Sequence, residues 1–314
     1  MEEAIVVDLS KEPEIARKGG VDLSKLTTLD FIATYADDNW SRPIYFAMTV
    51  PENYYIGLSP YLRSTGMVYQ VSPFLNKDYD VIGQYAVDTD RMYRNVTERF
   101  RWGGLDEVKD SKDIYLDETV RRMVTTTRTA LLDLATALYN EALEAKQIST
   151  DSTFVKDRAQ KSLNVLRLMD EKLPVVACPY ALQLGYNVAE LYDRLGRLLN
   201  DKEATKKAVD ILDKEIERYS QYARYAQGLK RSSNVWFYTS LPAADKYAYQ
   251  TYLLQLMQLY TSVTGDDKKI LDKVNGLGVD LNEIYMLHQR AAEAEHAEAA
   301  AASMPADSSI EDLM

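Results

Sequence analysis

Acidic side chains are the residues of this chain whose types could support catalysis. Close pairs of them occur at Asp37-Asp38, Asp88 and Asp90, Asp106-Glu107, and Asp117-Glu118. Two carboxylates on either side of a glycosidic bond can serve as general acid and as base or nucleophile. Short acidic side chains also cap helices and occupy solvated turns. A carbohydrate hydrolase that uses Asp88, Asp90 and Asp117 is therefore one hypothesis, with structural roles for the same residues as its alternative.

Other reactive side chains are few. His288 and His296 lie eight residues apart, which is farther than the one-turn spacing of helical zinc ligands. Cys178 is the single cysteine and has no histidine near it in sequence, so a buried structural thiol is the simpler interpretation. Gly103-Gly104 lacks the surrounding pattern of a phosphate-binding loop and predicts a turn. We therefore expect no metal site and no cofactor, and no catalytic histidine or cysteine.

Aromatic side chains indicate binding more than catalysis. The chain has 23 Tyr but only 6 Phe, and the tyrosines cluster at residues 35–93 and 219–260. Tyr and Trp combine a flat apolar face with a polar tip, which suits stacking on sugar rings and protein interfaces. The alternative is that they line seams between helices, as the spacing of "YSQYARYAQ" favours. The predicted binding residues are Trp40, Arg42, Tyr45, Tyr61, Tyr69, Tyr93, Trp102 and Arg121.

Composition limits the class of protein. With 314 residues, 46% of them hydrophobic, the chain can form substantial cores. Its 37 basic and 48 acidic residues give a net charge of -11, and a nucleic-acid partner is not expected, because phosphate backbones require clustered Lys and Arg. Apolar windows such as 131–138 are far shorter than the roughly 20 residues that cross a bilayer. The N-terminus does not resemble a secretory signal, which fits a cytoplasmic protein or a fragment.

The first hundred residues predict a small α+β unit. "RPIYFAMTV" predicts a strand with Pro43 at its first position, where a missing N–H costs least. "GLSPYL" predicts a turn or short helix, and "GMVYQVSPF" predicts a second strand. "DTDRMYRNVTERF" has helical spacing, with Asp88 or Thr89 as its cap. Ahead of these, "VDLSKLTTLDFIATYADD" predicts a helix with one buried face at Leu26, Leu29, Ile32, Ala33 and Ala36.

From Asp117 onward the pattern is helical. Asp117 is expected to cap a helix that continues to Leu143. Further helices are predicted at about Phe154–Leu173, Pro179–Leu199, Lys202–Tyr225 and Ala243–Val263, and from Asp266. "YNVAELYDRLGRLLNDKEATKKAVDILDKEIERY" contains a helix, a turn and a second helix in about the 34 residues of a tetratricopeptide unit. We predict stacked helical hairpins, and a non-repetitive helical bundle is the alternative because the signature residues are incomplete.

The predicted fold class is mainly α, with a small N-terminal α+β unit followed by tetratricopeptide-like antiparallel helical hairpins. The predicted domains are a small α+β domain at residues 1–115 and a tetratricopeptide-like helical domain at 116–290. Residues 291–314 are rich in Ala and Glu and predict a helix end followed by a disordered tail.

Four ordered motifs carry a family resemblance: "NWSRPIYFAMTV", "GLSPYLRSTGMVYQVSP", "MYRNVTERFRWGGLDE" and "YLDETVRRM". Together they resemble the C-terminal soluble region of the Bacteroidetes membrane proteins that carry domain of unknown function 2723, a family similar to protein O-mannosyltransferases. The resemblance is close over roughly residues 25–175 and holds in outline for the later helices. It implies an extracytoplasmic, periplasmic domain attached to a glycosyltransferase-like portion in the inner membrane.

The resemblance implies that transfer from a lipid-linked sugar is carried by acidic residues in a loop of that membrane portion, which has no counterpart in this sequence. No catalytic residue is therefore assigned here. The implied function is a noncatalytic binding or scaffolding domain whose partners are the membrane portion of the parent protein and a glycan or polypeptide acceptor. A free-standing carbohydrate hydrolase and a purely structural protein-interaction module are the alternatives.

The resemblance also gives the strand at Pro43 an expected place, at the junction of the α+β unit with the helices. The alternating Ile44, Phe46 and Met48 are expected to pack one face of this strand on the helices. Arg42, with Tyr45 and Trp102, is predicted to line a surface cleft there.

Overall fold

The structure is a computed structural model that describes residues 5–9, 17, 19–38, 40–76, 85–148, 152–231, 235–242 and 247–289. It divides into two compact units, Met1–Tyr180 and Ala181–Met314. The first unit contains a four-stranded sheet and two long helices, and the second is built from helical hairpins that pack against each other. The predicted mainly α fold class is confirmed. The domain division at residue 116 stays a prediction, and the tail at 291–314, with His296, lies outside the described residues.

The first helix, α1 (Leu23–Asp37), forms where the sequence predicts it, but the predicted buried face is wrong. Ile32 is buried, whereas Leu26 is 55% exposed and Ala33 and Ala36 are also exposed. The apolar side chains of this helix are distributed around its circumference, so they do not form the single stripe that packs a helix on a core.

The sheet has the strand order β1-β3-β2-β4. Its strands are β1 (Tyr45–Ala47), β2 (Leu62–Ser64), β3 (Val68–Val71) and β4 (Ala86–Val87). β1 and β2 run antiparallel to β3, and β4 runs parallel to β2. The two predicted strands are thus confirmed as β1 and β3, and Val71 N donates to Ile44 O at 3.0 Å, immediately after Pro43. The predicted short helix in "GLSPYL" is the 3₁₀ turn Ser59–Tyr61.

The two faces of the sheet have different roles. A core cluster of Tyr55, Leu62 and Val71 receives Ile44 and Phe46, which are half-buried against it. The surface on which these two residues pack therefore belongs to the sheet unit, and the prediction that they pack on the long helices is wrong. The reason is that β1 pairs with β3, which directs this face of the strand toward Tyr55 and its loop.

A polar row crosses the opposite face. Tyr45 is paired with Gln70 across β1 and β3, and Gln70 is paired with Arg63 across β3 and β2. Residues paired directly across antiparallel strands project their side chains to the same face. Tyr45, Gln70 and Arg63 therefore share one face of the sheet.

A short helix, α2 (Thr89–Arg94), follows β4 directly. Asp88 caps it, because its carboxylate accepts a hydrogen bond from Arg91 N at 3.2 Å, as the sequence predicts. The last turn widens into a single π-helical turn at Asn95–Arg99.

Two long helices, α3 (Glu118–Gln147) and α4 (Ser152–Lys172), complete the first unit as a hairpin. Asp117 caps α3 by accepting from Val120 N at 2.8 Å, so its predicted capping role is confirmed. The predicted helix at Phe154–Leu173 corresponds to α4.

Arg128, on α3, is fully buried and holds the segment that follows α4. Its Nη2 donates to Leu173 O and to Cys178 O, both at 2.7 Å, and its guanidinium lies 4.9 Å from the centre of the Tyr180 ring. Cys178 is a buried free cysteine, which agrees with the structural interpretation of this thiol.

The helices of the second unit are α5 (Leu184–Leu199), α6 (Lys202–Arg231), α7 (Val235–Ser240), α8 (Tyr249–Thr264) and α9 (Asp267–Gly276), and residues 281–289 are also helical. α5 begins later than the predicted Pro179, because the backbone at Gln183 is left-handed, with φ 68°. α6 extends beyond the predicted end at Tyr225. Of the predicted helix Ala243–Val263, residues 243–246 lie outside the described residues.

Tyrosines of the second unit line a helix seam. Tyr219 of α6 lies 4.7 Å from Tyr252 of α8, ring centre to ring centre, and Tyr222 lies 5.1 Å from Tyr249. Tyr252 also accepts a hydrogen bond from Tyr186 N at 3.0 Å. The seam interpretation of "YSQYARYAQ" therefore holds for its first two tyrosines, whereas Tyr225 is 61% exposed.

Close approach of α5 and α6 depends on Gly196. A Cβ atom at this position would overlap Thr205 Oγ1 and would lie 2.9 Å from Thr205 N and 3.0 Å from Asp201 O. The turn between the helices is closed by Asp201 N, which donates to Gly196 O at 2.8 Å, and by a left-handed Asn200.

No helix within the described ranges is both long and apolar enough to cross a membrane.

We expect Gly196→Ala to lower the free energy of unfolding by about 1–3 kcal/mol, because the added methyl group overpacks a backbone contact. Gly228→Ala is the matched control, since Gly228 lies on an exposed part of α6 and an added methyl group would meet no atom within 4 Å. The control should raise stability by about 0.5–1 kcal/mol through helix propensity. Urea unfolding followed by circular dichroism measures both, and equal effects of the two substitutions would contradict the packing argument.

Candidate functional site

A cleft with a volume of about 250 Å³ lies beside the sheet, within the first unit. Its apolar lining residues are Trp40, Pro43, Val71, Pro73 and Phe74. This volume corresponds to roughly eight water molecules, which is the scale of one small ring or side chain. The cleft therefore suits a single chemical group of a larger ligand.

Trp40 is positioned by the end of α1. Its backbone N donates to Tyr35 O at 2.8 Å, and its φ of 56° is left-handed. This conformation is uncommon for a bulky residue and persists where surrounding contacts hold it. Here the half-buried Trp40 ring packs against the core cluster of the sheet. Packing against the core of the sheet therefore holds the Trp40 side chain where it lines the cleft.

The polar side of the cleft is organised by Arg91 of α2. Its Nη1 donates to Gln70 Oε1 at 2.6 Å, and its Nη2 donates to Tyr45 Oη at 2.8 Å. Gln70 and Tyr45 are cross-strand partners, so one guanidinium spans both. Arg91, Gln70 and Asp88 line the cleft together with Ser72.

Arg63 completes the polar side. It lies opposite Gln70 on the neighbouring strand, is half-buried, and lines the cleft. Across the part of the chain that the structure describes, its guanidinium makes no hydrogen bond and no ion pair. Arg63 therefore places a positive charge at the cleft, and this charge has no hydrogen-bond or ion-pair partner among the described residues.

α2 is held in place by Arg158 of α4. Arg158 Nη1 donates to Asp90 Oδ1 at 2.6 Å, and its Nε lies 3.3 Å from Glu141 Oε2. Thr89 Oγ1 donates to the other oxygen of Glu141 at 2.7 Å. These contacts join α2 to both helices of the α3–α4 hairpin, and through α2 they fix Asp88 and Arg91 at the cleft.

The carboxylates considered for catalysis have structural partners. Asp88 and Asp117 cap helices, and the hydrogen bond from Arg158 lowers the pKa of Asp90 from its ordinary value. A general acid in glycoside hydrolysis requires a raised pKa. The pKa of Asp90 is shifted in the opposite direction, so Asp90 does not suit that role. Within the described residues, no group of three or more His, Cys, Asp or Glu side chains could hold a metal ion.

The structure disperses most of the predicted binding residues. Trp40 lines the cleft, and Tyr45 adjoins it through Arg91. Arg42 is exposed and outside the lining. Tyr61 is buried, and its hydroxyl accepts from the backbone N of residue 6 at 3.1 Å. Tyr69 belongs to the core of the sheet, 4.5 Å from the Tyr85 ring.

The remaining predicted residues lie farther along the first unit. Tyr93 lies where α2 meets α4, with its hydroxyl 3.5 Å from Asn164 Nδ2. Trp102 packs near Phe100, with ring centres 5.9 Å apart, and Arg121 is exposed on the first turns of α3. The predicted grouping of Arg42, Tyr45 and Trp102 does not coincide with the lining of the cleft.

Eight residues that line the cleft were not predicted as site residues from the sequence: Pro43, Arg63, Gln70, Val71, Ser72, Pro73, Phe74 and Arg91. A partial signal exists in the sequence, because Gln70 lies between Tyr69 and Val71 and Arg63 follows Leu62, both in short strand-like segments. Their alternation would place them on a solvated face if the two segments were paired in the observed register.

The fold is mainly helical, with a small mixed sheet beside which the cleft lies. A family model described as TMEM260-associated domain 2 matches residues 5–91, which is less than a third of the 314 residues. All residues that line the cleft fall within the matched segment. Comparisons with curated proteins and with solved structures find no match.

We expect Asp90→Asn to weaken the docking of α2, lowering the free energy of unfolding by about 0.5–1 kcal/mol at neutral pH, since the Asp90 side chain is largely exposed. Because Arg158 lowers the pKa of Asp90, this contribution is present above the ordinary pKa of 3.8 and is lost as pH falls through the lower folded value. Urea unfolding of both proteins at a series of pH values measures the difference.

Hydrogen exchange of the α2 amides tests the location of this effect. Asp90→Asn should accelerate their exchange. Glu118→Gln is the control, because it also removes one carboxylate charge, and its partner Arg122 lies on the same helix, α3, with both side chains largely exposed. Unchanged exchange in α2 after Asp90→Asn would contradict the role assigned to Arg158.

Proposed function

We propose that this chain is a noncatalytic binding domain of a membrane-bound glycosyltransferase-like protein, and that it positions a glycan acceptor. The cleft binds one sugar residue of that acceptor. The observation that carries the proposal is the combination, in one small cleft, of the aromatic rings of Trp40 and Phe74 with the polar side chains of Gln70, Ser72 and Asp88.

This combination matches the chemistry of a sugar. A pyranose presents apolar C–H groups on its faces and hydroxyl groups around its edge, so its recognition requires a flat apolar surface and nearby donors and acceptors. The cleft supplies both. Its polar groups are held in position, because Arg91 fixes Gln70 and Asp88 caps α2, which lowers the entropy lost on binding.

The noncatalytic part of the proposal is supported by how the carboxylates are used. Asp88, Asp90 and Asp117 each stabilise a helix or an ion pair. The resemblance of the four sequence motifs supports attachment to a membrane glycosyltransferase-like portion, in an extracytoplasmic setting. Chemistry would then occur in that portion, with this domain holding the acceptor.

A second candidate function, a protein-interaction module, is favoured by exposed aromatic residues on α7. Trp236 is 72% exposed and Phe237 is 53% exposed, with ring centres 5.1 Å apart. Exposed aromatic pairs of this kind are enriched at protein interfaces. The partner proposed for this surface is the membrane portion of the parent protein. Co-purification of that portion with the 314-residue chain should be lost in Trp236→Ala, and unchanged co-purification would exclude α7 as the contact.

We expect Phe74→Ala to weaken glycan binding roughly tenfold, because it removes one of the two aromatic rings that line the cleft. Phe74 is 54% exposed, so its truncation should leave stability nearly unchanged. Binding of the labelled 314-residue chain to an array of neutral and acidic oligosaccharides, and to a parallel array of unmodified peptides, provides the measurement.

Leu75→Ala is the matched control for this experiment. Leu75 is the next residue, is 52% exposed, and does not line the cleft. It should bind as the unchanged chain does. If the chain bound peptides alone, the acceptor would be a polypeptide and the glycan proposal would be wrong. If both variants lost binding, the binding surface would extend beyond the cleft and the cleft would not be its cause.

A further inference from the structure

We infer that the cleft selects an acidic sugar, and that Arg63 binds the carboxylate of that sugar. The inference rests on the proposed function, since it names the class of glycan that the cleft accepts. The evidence for it is a comparison of the contacts made by Arg63 with those made by the other buried and half-buried arginines of the described residues.

Buried and half-buried arginines elsewhere in the chain have partners. Arg128 donates to backbone carbonyl groups, Arg158 pairs with Asp90 and Glu141, and Arg218 pairs with Glu215 at 2.8 Å. Arg63 is half-buried and makes no hydrogen bond or ion pair with any part of the described chain. Its side chain lines the cleft, so the guanidinium remains available to an anionic group of a ligand.

The charge balance of the cleft favours an anion. Arg63 and Arg91 line it with a single carboxylate, that of Asp88. Arg91 donates to the neutral groups of Gln70 and Tyr45, and Asp88 already accepts from Arg91 N. The cleft therefore carries a net positive charge, although the chain as a whole carries a net charge of -11. The chain has many acidic residues, yet no carboxylate of the described residues pairs with either guanidinium. The cleft therefore retains positive charge that an anionic ligand can neutralise.

The cleft offers a partner for each part of such a ligand. Arg63 lies on β2 in the same polar row as Gln70, and the aromatic side chains of Trp40 and Phe74 line the same cleft. A planar guanidinium binds a carboxylate through two parallel N–H donors. A hexuronic acid has both components, because its ring carries a carboxylate in place of the terminal hydroxymethyl group. The ring would pack on these aromatic side chains while the carboxylate reaches Arg63.

Two matched probes test this inference: methyl β-glucuronide, which carries the carboxylate, and methyl β-glucoside, which does not. Titration of the 314-residue chain, followed by the indole N–H signal of Trp40 in a nitrogen-15 correlation spectrum, should show the glucuronide binding roughly tenfold more tightly. The chain has 3 Trp, so Trp40→Phe assigns the signal.

Arg63→Met should abolish this preference while retaining weak binding of the glucoside, since methionine preserves much of the apolar stem. Arg94→Met is the matched control: Arg94 is exposed, lies one turn beyond Arg91 on α2 and is outside the lining, so the preference should remain. Melting temperatures of the variants verify that they are folded.

Three results would overturn the inference, and they are distinguishable. Equal binding of the two glycosides by the unchanged chain would exclude acid selection and leave the glycan cleft intact. Binding of sodium acetate or inorganic phosphate as tightly as the glucuronide would show an anion site that does not recognise a sugar ring. A Trp40 signal that neither glycoside perturbs would reject the proposed glycan cleft itself.

Discussion

The ion pair network of Arg158 is the interaction on which the arrangement of the cleft depends. α2 has only six residues, too few to be stable as an isolated helix. The Arg158–Asp90 ion pair and the Thr89–Glu141 hydrogen bond hold it on the α3–α4 hairpin, and Asp88 and Arg91 belong to its cap and first turn. α2 thus forms part of the junction between the sheet and these helices.

Strand register is the second constraint. The pairing of Tyr45 with Gln70 and of Gln70 with Arg63 puts a polar row on one face and the core cluster on the other. A shift of one residue would exchange these faces, bury a guanidinium and expose Val71. The same short sheet therefore determines both the stability of the unit and the composition of the cleft.

Local features of the fold could be predicted from the sequence, whereas the cleft could not. Asp117 and Asp88 are recognisable as caps because capping depends on a few consecutive residues. β2 and β4 have three and two residues, too short for any periodicity to appear. Arg63 lines the same cleft as Trp40 and Phe74 only because segments distant in sequence pair with each other. Trp40 reaches the cleft through a left-handed backbone conformation, which the residue types do not predict. α1 shows the opposite failure, since its spacing predicts the helix correctly but not the surface on which the helix packs.

The carboxylates near the cleft serve helix capping and ion pairing. Catalytic carboxylates need environments that separate their pKa values, yet the pKa of Asp90 is lowered by Arg158, and Asp88 accepts a backbone hydrogen bond. Among the charged side chains that line the cleft, Arg63 is the one whose side chain makes no hydrogen bond or ion pair within the described residues. Because the whole chain is strongly acidic, its long-range field repels anions, and only contacts shorter than the roughly 8 Å screening length at physiological salt can attract one. Selection of an anionic ligand must therefore arise from directional hydrogen bonds within the cleft, which favours a ligand held in one orientation over a diffuse charge.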